Sequence, residues 1–268
     1  MSEQTNKGAF QRFLEASPDS TGKTLFVAVV LCLCASMIVS AAAVALRPTQ
    51  EANKLKDKQI NILQVAGLYE PGANVTEAFG ASFEPRILEL ATGRFTDDFD
   101  VATFDDRAAA DDPATSIKLD YDPASIGRQS KYMTVYLLKD DAGEIDKVIL
   151  PLHGYGLWST LYGFIAVEEN GNDIFGLQFY SHAETPGLGA EVDNPRWKAL
   201  WKGKHLTDAA GELQITVAKT APAAGKEFHV DALSGATLTS AGVDNLVRFW
   251  MGETGYAPFL ANLKAGDI

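Results

Sequence analysis

Cysteine is nearly missing from this chain of 268 residues: Cys32 and Cys34 are the only two, and both lie inside one apolar stretch. The remainder therefore makes no disulfide of its own and no iron–sulfur centre held by four thiolates. Two positions apart on a helix, the pair points about 200° apart and does not chelate one metal together. They read as small packing residues, with a metal site shared with a neighbouring subunit as the second option. Histidine is scarce too, at four residues (His153, His182, His205 and His229). No two of them have the short helical spacing of a zinc motif. A Gly-x-Ser-x-Gly nucleophile elbow is absent. The pairing of His153-Gly154-Tyr155-Gly156 with Ser234 is thus a weak basis for a hydrolase, and His229 lies too close to Ser234 in sequence to suggest a triad.

Charge is absent from Leu25 to Leu46, a run of 22 residues. As a helix rising about 1.5 Å per residue, such a run spans the roughly 30 Å hydrocarbon core of a bilayer. Lys23 and Arg47 bracket it, where long stems reach headgroups. A cleavable signal peptide has a shorter apolar run, about 7–15 residues, ending in small residues. Ala43-Val44-Ala45 imitates that ending, so the option competes. A buried core helix fits less well, because residues 1–24 hardly surround it. A retained anchor is the expectation. Its orientation is not set by charge: Lys7, Arg12 and Lys23 on one flank balance Arg47, Lys54, Lys56 and Lys58 on the other.

Positive charge is in short supply beyond the anchor. Residues 1–47 carry four cations and three anions, so the remaining 221 must carry −13 to give the overall −12. A domain that acidic repels nucleic acid and anionic lipid at long range. Attachment to a membrane then rests on the apolar helix.

The organisation expected is a short N-terminal extension (1–24), a transmembrane helix (25–46), a helical stalk (47–70) and one domain (71–268). Ile60, Leu63 and Val65 among polar positions support the stalk, and Pro71-Gly72 ends it. Residues 85–128 are acidic and turn-rich, with Asp97, Asp98, Asp100, Asp105, Asp106, Asp111 and Asp112. They lack the spacing and distal Glu of a calcium loop and read as a solvated face or loop. Strands are expected over Tyr132–Leu137 and Lys147–Leu150, joined by a turn at Asp140-Asp141-Ala142-Gly143, then over Gly163–Glu168, Ile174–Ser181 and Glu212–Val217. Helices are expected around Pro195–Lys202 and Leu238–Gly252. The fold class is α+β, with a twisted, mainly antiparallel sheet flanked by helices.

The most informative segment is His229-Val-Asp-Ala-Leu-Ser-Gly-Ala-Thr-Leu-Thr-Ser240. Small residues and hydroxyls lead into a helix on which Val243, Leu246, Val247 and Trp250 share a face. A Thr near positions 237–239 is placed to cap the first turn. The same turn, with its N–H groups and positive dipole end, favours a phosphate. Gly235 and Ala236 let a bulky ligand approach the backbone. From the residues alone a capped helix after a Gly turn explains as much.

Asp231-Ala232-Leu233-Ser234-Gly235-Ala236-Thr237 resembles the flavinylation signature of the FMN-binding domains of respiratory sodium pumps. Gly154-Tyr155-Gly156-Leu157-Trp158-Ser159 and His182-Ala183-Glu184-Thr185-Pro186-Gly187-Leu188-Gly189 are similar to two further loops of that family. Each loop alone is weak evidence; the three in order behind one apolar helix are specific. The likeness covers residues 20 to 260. In layout it is more similar to the C-type subunit of the sodium-translocating NADH:quinone oxidoreductase than to the shorter G-type subunit of the Rnf complex. The latter stays as the alternative, together with a non-redox membrane-tethered assembly protein.

The resemblance implies FMN carried on Thr237 through a phosphoester, with Ser234, Gly235 and Ala236 beside it. Thr239 and Ser240 are hydroxyls as well, so motif position selects Thr237. It implies that Tyr155, Gly156, Leu157, Trp158, Glu184, Thr185, Gly187, Leu188 and Gly189 surround the isoalloxazine. Trp158 and Leu188 suit the ring faces. Glu184, Thr185 and backbone N–H groups suit its pyrimidine edge, and Lys219 is a further candidate, as a cation near flavin or phosphate. No catalytic acid or base and no metal ligand is expected, since the cofactor does the chemistry. Also implied are a separate flavin transferase, a flavin-bearing subunit and an iron–sulfur-bearing subunit pair as partners, and a periplasmic domain on a bacterial inner membrane. With no acidic residue in its apolar run, the chain by itself conducts no ion.

Overall fold

The computed structural model describes Phe13, Ser17 and residues 20–140 and 142–268. Most of the expected N-terminal extension, with Lys7 and Arg12, and Asp141 of the expected turn lie outside the described residues. The chain divides into two compact units, residues 1–55 and 56–268.

Helix α1 runs from Thr21 to Val65 without a break at Pro48. It is long and apolar enough to cross a membrane, and its apolar stretch is not buried within the protein. Proline costs a helix one N–H bond, and here α1 continues through it. Cys32 and Cys34 are free and exposed on this helix.

In the second unit α2 (Val75–Ser82) leads into β1 (Phe83–Glu89) and β2 (Arg94–Thr96). Then come α3 (Asp106–Asp111), β3 (Ser116–Lys118), β4 (Arg128–Ser130) and the long strands β5 (Tyr132–Lys139), β6 (Ile145–Tyr155), β7 (Thr160–Glu168) and β8 (Asp173–Ser181). After them come α4 (Pro195–Lys198), β9 (Lys204–His205), β10 (Thr216–Ala218), β11 (His229–Asp231), α5 (Thr237–Met251) and α6 (Ala257–Ala265), with short 3-10 turns between.

Seven strands form one antiparallel sheet in the order β2-β1-β5-β6-β7-β8-β9. Strands β5 to β7 read as almost unbroken apolar runs because both faces of the sheet are covered. On one face Val135, Leu137, Val148, Leu150, Leu152 and Ile165 join Leu246, Trp250 and Phe259 of the C-terminal helices in the main core. On the other, Tyr136, Ile149, Phe164 and Ala166 pack with Ile62, Leu63 and Val65 at the end of α1 and with Val75 and Phe83.

Residues 85–128 differ from the loop expected of them. They hold β1, β2, α3, β3 and β4, and their aspartates do local structural work. Asp105 caps α3 by accepting the N–H groups of Arg107 and Ala108. Asp106 Oδ1 accepts from the N–H and hydroxyl of Thr134 at 2.8 and 3.0 Å, tying α3 to β5. Asp122 takes the N–H groups of Ile126 and Gly127. The strand expected over Glu212–Val217 shrinks to Thr216–Ala218, paired in parallel with β11. Asp244 of α5 captures the Val217 N–H and the Thr216 hydroxyl, so a helix side chain takes the place of a neighbouring strand. The helix expected over Pro195–Lys202 is one α turn followed by a 3-10 turn, Ala199–Trp201.

Candidate cofactor site

Three segments far apart in sequence meet at one end of the sheet. Strands β6 and β7 form a hairpin in which Tyr155 pairs with Thr160, leaving Gly156 to Ser159 as its tip. Strand β8 ends at Ser181, opposite Tyr162, so the loop that follows starts from the same edge. Helix α5 lies against β6 at van der Waals limits: a Cβ on Gly242 would come within 2.5 Å of the Tyr155 carbonyl oxygen, and one on Gly154 equally close to Leu246 Cβ. Glycine is required at both positions by close approach.

Glu184 joins the three segments. Its Oε1 accepts from the N–H groups of Leu157 at 3.0 Å, Trp158 at 2.9 Å and Ser159 at 3.4 Å. Its Oε2 accepts from the hydroxyl of Thr239, in the first turn of α5, at 2.6 Å. The residue is 5% exposed. Burial pushes its carboxyl up, but the bonds from Thr239, Trp158, Leu157 and Ser159 prevail and hold it below the ordinary carboxylate value. Both carboxylate oxygens of Glu184, expected at the edge of a ring, accept hydrogen bonds from the protein itself. Next to it His182 Nδ1 accepts the Glu184 N–H at 3.2 Å and Nε2 faces Asp193 at 2.8 Å, which makes Nε2 the protonated nitrogen.

The first turn of α5 sorts its hydroxyls. Thr239 is spent on Glu184. Ser240 Oγ accepts the Leu233 N–H and donates to the Ala236 carbonyl, both at 2.9 Å. Both residues are buried, whereas Thr237 and Ser234 are exposed. The helix start receives no cap: its N-cap residue is Ala236, with no side-chain acceptor for the first-turn N–H groups. That corrects the expectation that a Thr would close it. The first-turn N–H groups of this helix of 15 residues, with no side-chain cap, are of the kind that favours an anion.

Apolar surface lies open around this point. Trp158 is 64% exposed and Leu188 45%, with Tyr155 and Leu157 also exposed. Leu238, not anticipated from the sequence, is 62% exposed beside Thr237. A Cβ on Gly235, whose φ is +75°, would meet Leu188 Cδ2 at 3.2 Å, so Leu188 leans on the motif glycine. Gly187 also has positive φ, with open space about it, and Gly189 is buried against Glu184 and Thr239. Thr185 is exposed, and its carbonyl accepts from Leu188 and Ala190. Lys219 follows β10, whose Ala218 carbonyl accepts the Ala232 N–H at 3.0 Å, and is exposed near the start of the motif. An open apolar ledge next to an uncapped helix start and a free hydroxyl fits a flat aromatic cofactor with a phosphate tail.

The histidines serve the scaffold. His153 stacks on Tyr162 at 5.5 Å between ring centres and its carbonyl accepts from Trp250 Nε1. His205 and His229 face Asp173 and Asp231. Among the described residues no three His, Cys, Asp or Glu side chains gather as a metal site.

Fold and site together define an FMN-binding domain behind one apolar helix, and residues 156–252 match that domain family. The chain is 51% identical to the C-type subunit of the Na(+)-translocating NADH-quinone reductase of Pseudomonas aeruginosa, over 94% of this chain and 99% of the relative. It is 49% identical to the counterpart in Haemophilus ducreyi, over 92% and 96%. The crystal structure of Shewanella oneidensis NqrC superposes with a TM-score of 0.74 at 38% identity, over 80% of this chain and 99% of that one. The chain belongs to the NqrC family, the C-type subunits of the Na(+)-translocating NADH-quinone reductases.

Proposed function

We propose that this chain carries FMN covalently, through a phosphoester to Thr237, and is an electron-transfer subunit of a sodium-pumping NADH:quinone oxidoreductase. One observation carries the attachment: of the three hydroxyls in the first turn of α5, Thr239 and Ser240 are buried and bonded, and Thr237 alone is exposed. Bound FMN supplies electron uptake and release, one or two electrons at a time.

The chain's own residues bind and orient. First-turn N–H groups of α5 and the positive end of its dipole hold the phosphate charge. Trp158, Leu188 and Leu238 offer apolar surface for the ring system. Gly235 and Gly187 keep the approach clear. Thr185 and Ser234 offer exposed hydroxyls, and Lys219 a cation at the near end of the motif. Thr hydroxyl is a weak nucleophile without an activating base, which calls for a separate flavin transferase. The chain is not a complete enzyme. Electrons come from an iron–sulfur-bearing subunit pair and leave to another flavin-bearing subunit, with the domain periplasmic and α1 in the inner membrane.

The test is in-gel fluorescence after denaturing electrophoresis, with mass spectrometry of the peptide containing Thr237. Native protein gives a fluorescent band and a peptide heavier by one FMN less water. Thr237→Ala gives neither, with its circular dichroism unchanged. An unmodified Thr237 peptide in protein from the native host refutes the attachment.

A further inference from the structure

Glu184 combines three properties seldom found together. It is buried, it is held ionised, and among the described residues no lysine, arginine or histidine forms an ion pair with it. Buried carboxylates ordinarily have a counter-ion. Here three backbone N–H groups and one hydroxyl stabilise the charge instead. Dipoles solvate an anion without cancelling it, so the field of a full negative charge extends into the site.

The surroundings are shaped to fit that carboxylate. A Cβ on Gly156 would stand 2.7 Å from Glu184 Oε1. A Cβ on Gly189 would stand 2.7 Å from Oε2 and 2.5 Å from the Thr239 hydroxyl oxygen. The hairpin tip and the 184–189 loop thus admit the carboxylate only because glycine faces it from both sides. The tip itself carries the exposed Trp158, and Thr239 lies two residues after Thr237.

We propose that Glu184 is a positioning residue, an ionised clasp that fixes the Trp158 hairpin tip against the first turn of α5 and whose charge makes a flavin on Thr237 harder to reduce. The second half rests on the reading of Thr237 as the flavin carrier; the first does not. An added electron near a fixed anion is opposed by Coulomb repulsion, strongly where little water screens it. Glu184→Gln removes the charge and keeps an oxygen for the three N–H groups, whereas Glu184→Ala removes charge and clasp alike.

Two measurements on the full chain in detergent decide it. Hydrogen exchange at the amides of Leu157 and Trp158 reads the clasp, and it is done on Thr237→Ala, which carries no covalent flavin. Adding Glu184→Ala speeds exchange of both amides about tenfold or more, and Glu184→Gln restores most of the protection. Should Glu184→Ala fail to fold, Thr239→Val frees Oε2 alone, and the same two amides then exchange faster to a smaller degree. Unchanged exchange in the folded variant overturns the clasp.

Spectroelectrochemistry of the flavinylated chain reads the charge. At a fixed poise, Glu184→Gln raises the ratio of reduced to oxidised flavin about tenfold, equivalent to about 59 mV for one electron. An unchanged midpoint potential overturns the electrostatic role. Wild-type protein that lacks covalent flavin sinks the reading of Thr237, while the exchange data still decide the clasp.

Discussion

At the scale of single residues, the site separates groups that hold the protein from groups that face outward. Glu184, Thr239 and Ser240 are internal, and Trp158, Leu188 and Thr237 are open. If flavin is carried on Thr237 as proposed, replacing Trp158 or Leu188 with alanine removes apolar surface beside the ring and leaves the attachment point intact. Each variant is expected to keep its in-gel fluorescence while the flavin's visible dichroism weakens and its midpoint potential moves. Wild-type values for both properties in both variants would sink the ring-stacking assignment. Much of this outward set was legible in the sequence, since motif position and the demand for flat apolar surface name the same residues. The role of Glu184 was not. Its partners Leu157 and Thr239 lie 27 and 55 positions away, and no local pattern reports bonds across such distances. Leu238 was missed for a different reason: its exposure depends on where α5 turns its first face.

Among the elements, β6 carries the most. It pairs with β5 and β7, receives α5, and ends in the hairpin that holds Trp158. His153 sits inside it, between the rings of Tyr162 and Trp250. Burial first, and the nearby Arg107 charge second, lower its pKa from 6.5 to about 4. The folded state thus keeps the ring neutral while the unfolded chain protonates it below pH 6.5. Stability from the neutral ring is complete above that pH and drains away between 6.5 and about 4, by roughly 3 kcal/mol at the limit. Thermal melts across this range are expected to fall more steeply for wild type than for His153→Phe, which keeps an aromatic ring and does not titrate. Parallel melting curves would show that the histidine does not drive acid sensitivity.

Strands β5 to β8 were legible because burial on both faces writes long apolar runs. Helix α5 was legible because Val243, Leu246, Val247 and Trp250 share one face. Elements α2, β1, β2 and α6 were not. Strand β1 contains Pro85, Glu84 and Arg86, which read as a loop until pairing with β5 fixes them. Helix α6 has only nine residues, too few to display a period, and it owes its place to Phe259 and Leu263 in the core. The acidic region hid its structure because aspartate caps and turns resemble a solvated stretch in one-letter code.

For the molecule as a whole, the two units predict separable parts. A chain starting at Lys56 keeps Ile62, Leu63 and Val65, which seal one face of the sheet. It is expected to be recovered without detergent and to unfold cooperatively. A chain starting at Leu68 loses all three, each worth about 1.5–3 kcal/mol when buried, and is expected to unfold at clearly lower urea. Equal midpoints for the two fragments would mean that the end of α1 adds nothing to the domain.

The sheet's borders have a consequence for life on a membrane. Proteins confined to a surface meet copies of themselves far more often than the same number free in a volume, and an unpaired strand is the feature such meetings punish. Here the border strands are β2 and β9, of three and two residues. Past β2 the free stretch of β1 holds Pro85, which has no N–H, between Glu84 and Arg86. Past β9 the free stretch of β8 has Lys198 of α4 bonded to Gln178 at 2.7 Å, so both borders give a neighbour's strand a poor template. Crowding then leads to encounter and parting, each sheet staying closed to its neighbours.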